Sequence, residues 1–66
     1  MVNFQIVFFC PKTNETKMFN LTHPSFSSVA SWAYVEKQCL FERTGEGWKI
    51  AAIYDLEYDI LKQKTP

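Results

Sequence analysis

From Trp48 to Tyr58 the chain alternates. Trp48, Ile50, Ala52, Tyr54, Leu56 and Tyr58 are apolar or aromatic, and between them stand Lys49, Ala51, Ile53, Asp55 and Glu57. A period of two over this length predicts a strand whose even side chains share one buried face. The odd face is two-toned: Ala51 and Ile53 form an apolar middle, and Asp55 and Glu57, with Asp59 beyond, form an acidic end. The side turned away from the core is therefore the first place to look for function.

The same period opens the chain. Val2, Phe4, Ile6, Phe8 and Cys10 fall on one face and Asn3, Gln5, Val7 and Phe9 on the other, so both faces become apolar toward the strand's end. Two apolar faces predict a central strand, because an edge strand usually turns one polar face to water. Pro11 to Glu15 reads as a turn, with Asn14 suited to positive φ. Thr16 to Leu21 then returns as a short edge strand, with Phe19 and Leu21 on one face and Met18 and Asn20 on the other.

From about Ser25 to Glu42 the period lengthens to that of a helix. Phe26, Val29, Ala33 and Leu40 form its inner line, flanked by Ala30 and Phe41 on one side and Trp32 on the other, against a polar strip of Ser27, Ser31, Gln38 and Glu42. Pro24 suits the first helical turn, Thr22, His23 or Ser25 can cap it, and Thr44-Gly45-Glu46-Gly47 supplies a left-handed exit. Ile60 to Pro66 reads as a frayed tail or a short helical turn. The expected architecture is one α+β domain over residues 1–66, ββαβ, with a three-stranded antiparallel sheet in order 2-1-3 and the helix on one face. In that arrangement the other face collects Val7, Phe9, Met18, Ala51 and Ile53, with Asp55 and Glu57 at its rim.

A chain of 66 residues buries only about 60% of the surface its unfolded form exposes. Six Phe, three Tyr and two Trp supply the large apolar areas that make a core feasible without a metal or staple. Seven basic residues balance seven acidic ones, which lacks the electrostatic footprint of a protein that neutralises many phosphates. Nucleic acid is thus not the expected partner, and a small module stacking bases on Phe9, Trp32 or Trp48 is a third-placed reading. No apolar run approaches the ~20 residues that span a bilayer and no signal peptide opens the chain, so a cytosolic protein without a membrane partner is expected. Cys10 and Cys39 read as two thiols rather than a disulfide in that setting.

Catalytic chemistry finds little to work with. His23, the one histidine, sits beside a proline at a helix start and reads as a cap or surface residue. No Gly-rich phosphate loop precedes the helix, and two cysteines with one histidine lack the spacing of a zinc site. No catalytic, metal or cofactor residues are assigned. Trp32, Val35 and Cys39 form a lesser helical stripe, in which Trp32 is expected at the core border and Val35 in solvent.

The stretches FQIVFF, TNETKMF, VASWAYVEK and EGWKIAAIYD resemble the layout of small phage-encoded proteins that disable one host protein. The opening strand, the Asn-Glu-Thr turn and the aromatic-rich helix are similar to the Dmd-type phage antitoxin. The element order and the helix-to-Gly-to-strand passage are similar to a short phage inhibitor of host RNA polymerase. The resemblance implies a non-enzymatic protein that binds and inhibits or neutralises a host protein, though the balanced charge departs from the charged patches of some such inhibitors. The residues expected to carry contact are Val7, Phe9, Met18, Ile53, Asp55 and Glu57, the apolar set giving burial and the acids steering. The alternative is a structural homodimer that pairs two open sheet faces or two second strands.

Overall fold

The computed structural model describes residues 1–57. Three strands and one helix follow in the expected order: β1 (Val2–Cys10), β2 (Glu15–His23), α1 (Phe26–Thr44) and β3 (Lys49–Asp55). The sheet is antiparallel and open, with strand order β2-β1-β3. The expected tail, Ile60 to Pro66, and the far end of the expected last strand, Tyr58 and Asp59, lie outside the described residues.

β1 and β2 pair residue for residue, from Val2 with His23 to Cys10 with Glu15. β2 is thus longer than the Thr16–Leu21 read from the pattern, because a ladder this regular carries the polar Glu15, Thr22 and His23 along with it. Asn14 closes the turn at φ 63° and donates its N–H to the Cys10 carbonyl at 2.8 Å, a conformation that asparagine tolerates better than most side chains.

Ser25 caps α1 by accepting the Ser28 N–H at 3.2 Å, which satisfies one of the helix's unpaired first-turn donors. Pro24 therefore stands just before the cap, not inside the first turn. His23 Nδ1 shares a 2.8 Å hydrogen bond with Ser28 Oγ, tying the end of β2 to the helix start. At the other end Gly45 takes φ 74° and donates to the Phe41 carbonyl at 2.8 Å. A residue with a Cβ would be strained in that left-handed position.

The core lies between α1 and one side of the sheet. It comprises Phe4, Ile6, Phe8 and Cys10 of β1, Val29, Ala33 and Leu40 of α1, and Trp48, which is 4% exposed. Trp32 fills the space between the helix and β2, meeting Phe19 at 5.8 Å and Phe8 at 6.5 Å between ring centres, and Val35 is exposed, both as the stripe suggested. Phe26 departs from its place on the inner line: it is more than half exposed and touches the core only edge-on, against Phe4. Cys10 is buried, Cys39 is partly exposed, and both are free thiols.

Thr44 organises the exit from the helix. Its hydroxyl donates to the Leu40 carbonyl at 2.7 Å and accepts the Glu46 N–H at 3.2 Å and the Trp48 indole N–H at 2.9 Å. One hydroxyl can do this because it offers one donor and two lone pairs. The indole N–H of a buried tryptophan needs such a partner, and Lys17 Nζ closes the ring from the β2 side, 5.9 Å from its centre.

β3 departs from the simple pattern. Phe9 pairs with Lys49 and Phe8 with Ile50, but Val7 pairs with Ala52, so Ala51 is an extra residue opposite no partner. This β-bulge reverses the parity of the strand, since side chains alternate faces and one inserted residue exchanges them. Ahead of the bulge the even residues Trp48 and Ile50 face the helix. Beyond it Ile53 is opposite Ile6 and Asp55 opposite Phe4, so the odd residues do.

Candidate functional site

Directly opposed residues share a face, so the pairing defines the open side of the sheet. Its central row is Met18, Val7 and Ala52; one neighbouring row is Thr16, Phe9 and Lys49, and the other is Asn20, Gln5 and Tyr54. Asn3 and Thr22 end it. Met18 and Tyr54 are 65% and 46% exposed, and Val7, Phe9 and Ala52 are half-buried between their neighbours. An apolar centre of five side chains thus lies inside a rim of hydroxyls, amides and the exposed Lys49.

Three of the expected contact residues, Val7, Phe9 and Met18, stand together on this face. Ile53 does not. It packs against the core as a partly buried residue, because the bulge turns it to the helix side. Asp55 is turned the same way, opposite Phe4 on β1, so it is no part of an acidic rim on the open face. Ala51 is exposed at the bulge itself. Glu57 follows β3 and lines, with Leu56, a shallow cavity of about 450 Å³ whose other walls are Asn3, Phe4, Asn20, Leu21 and Thr22. It therefore borders the Asn3–Thr22 end of the open face, and among the described residues the expected acidic rim reduces to this one carboxylate.

Ala52 and Tyr54 belong to the face and are missed by the unbroken alternation of the sequence. Two adjacent alanines, Ala51 and Ala52, are the only local signal: neither is large enough to declare which side it faces, and a change of parity passes through them unmarked.

The base-stacking reading loses two of its three platforms. Trp48 is buried and bonded to Thr44, and Trp32 is packed among Phe8, Phe19 and His23. Among the described residues no three His, Cys, Asp or Glu side chains gather as a metal-binding group, and no helix is long and apolar enough to cross a membrane. The ion pairs Lys12–Glu46, Lys17–Glu15 and Arg43–Glu36 all involve exposed cations, where such pairs contribute about 0–1 kcal/mol. Comparison with protein-family models, with curated proteins and with solved structures finds no match to this chain.

Proposed function

We propose that this chain is a non-enzymatic binding protein that covers a surface of another protein with the open face of its sheet. The observation that carries this is the apolar row Met18, Val7 and Ala52, extended by Phe9 and Tyr54, on the side of the sheet that α1 leaves free. An exposed apolar centre inside a polar rim is the composition of a protein-binding patch. Tyr54 and Met18 are its protruding members and act as anchors. Lys49 at one end and Glu57 at the other fit a partner with an apolar centre, an acidic group opposite Lys49 and a basic group opposite Glu57.

Following the resemblance to small phage-encoded inhibitors, the partner is a bacterial host protein, met in the cytosol, and the outcome of binding is its inhibition or neutralisation. The test is capture from bacterial lysate with the tagged chain, identification of the captured protein, and titration of the purified pair by calorimetry. A stoichiometric complex is expected, weakened at least about tenfold by Tyr54→Lys and unchanged by Val35→Lys on the exposed side of α1. Capture of nothing, or a complex insensitive to Tyr54→Lys, overturns the reading.

A further inference from the structure

Among the described residues the two outer strands of the sheet each leave one edge unpaired, and the edges are unlike. β3 is short and interrupted at Ala51, and a bulge breaks the row of outward N–H and C=O groups that another strand would need. β2 has no such interruption: nine residues pair with β1 in unbroken register, with no proline and no positive φ among them. Its outer edge is a complete template for strand addition.

The charges that could guard that edge are confined to one end. Glu15 and Lys17 pair with each other at 3.8 Å, and Lys17 is drawn inward over Trp48. Met18, Phe19, Asn20, Leu21 and Thr22 carry no charge. From these features we infer that a second copy of this chain adds along β2, the two edges meeting antiparallel about a two-fold axis at Phe19 to form one six-stranded sheet with both helices on the same face.

The register follows from self-complementarity, since each residue of a two-fold interface must suit the residue it meets. With the axis at Phe19 all of β2 is paired: Phe19 meets its own copy, Met18 meets Asn20, Lys17 meets Leu21, Thr16 meets Thr22, and Glu15 meets His23. No like charges face each other, and the acidic end of one strand meets the histidine end of the other. Moving the axis to Lys17 would oppose two ammonium groups; moving it by one residue either way leaves strand ends unmatched. Phe19 is half-buried against Phe8 and Trp32, so contact between the two copies of Phe19 would join the aromatic clusters of both cores. This interface shares Thr16, Met18, Asn20 and Thr22 with the β2 side of the proposed binding face and leaves Tyr54 and Ala52 of β3 untouched, so Tyr54→Lys tests the binding face alone and the mass of the chain tests the β2 edge alone.

The experiment is the mass of the full chain by light scattering over a wide concentration range, in the wild type and in two double variants at the exposed Thr16 and Thr22. The wild type should approach twice 7.7 kDa. Thr16→Glu with Thr22→Glu sets like charges opposite each other twice per dimer and should raise the dissociation constant by about tenfold. Thr16→Lys with Thr22→Glu sets opposite charges in the same places and should restore the dimer. Far-UV circular dichroism matching the wild type confirms that each variant is folded. A wild type that stays monomeric at the highest concentration overturns the inference, and so does a dimer that treats the two double variants alike.

Discussion

On the helix side of β1, Phe4, Ile6, Phe8 and Cys10 are buried to within 1% of completeness; on the other side, in the same strand, Val7 and Phe9 are half-covered only by their neighbours in the sheet. The residue types are nearly the same. What differs is the third dimension: α1 brings Val29, Ala33 and Leu40 down on one side, and on the other side no described element does so. Apolar character on one face is spent on folding, and on the other it stays partly exposed. Composition cannot distinguish these two placements, whereas burial does.

Phe8 and Phe9 put that difference to its hardest test. Phe8→Ala should lower unfolding free energy by about 3–5 kcal/mol, the range for removing a buried phenyl, and Phe9→Ala by well under half as much. Chemical denaturation of the two variants measures both, and equal losses would mean that the open face is as closed as the core. The bulge sharpens the comparison within β3. Ile53→Lys places an ammonium on the helix side and should cost about 2–4 kcal/mol, while Tyr54→Lys, one residue on and facing outward, should stay within about 0.5 kcal/mol of wild type. If the two costs were reversed, the strand would keep its parity and the bulge would be refuted. A smaller effect probes the joint between helix and sheet. Thr44→Val removes the hydroxyl that serves the indole N–H of Trp48, at an expected cost of about 1–3 kcal/mol, and the tryptophan fluorescence of the folded variant should shift as that bond is lost.

Most of this architecture is legible in the residues. The two alternating faces of Val2 to Cys10 announce a central strand, and the change of period after Ser25 announces the helix. Gly45 marks the helix exit because its φ of 74° suits few other residues. Topology then follows from connection lengths, since a strand after a crossing helix that pairs antiparallel must lie beside the first. The candidate site is legible only in part. Val7, Phe9 and Met18 are placed by strands whose register is regular, and they are found where alternation puts them. Ile53 and Asp55 are misplaced because alternation carries the face assignment forward from Trp48, and a single extra alanine cancels it. Phe26 shows the corresponding limit for a helix: spacing puts it in line with Val29 and Ala33, but the first turn overhangs the end of the core, so the residue is left more than half exposed.

The bulge also bears on how this sequence can change length. In a regular strand, losing one residue sends every later side chain to the opposite face, which here would place Tyr54 among the core residues and Ile53 in solvent. Ala51 is the exception, because it has no partner on β1. Without it, Ile50 and Ala52 would follow one another in a continuous ladder, and each remaining residue of β3 would keep the face it has now. Position 51 is therefore where a deletion in this strand leaves the meaning of the surrounding residues intact, and alignments that open a gap elsewhere in β3 would compare inward residues with outward ones.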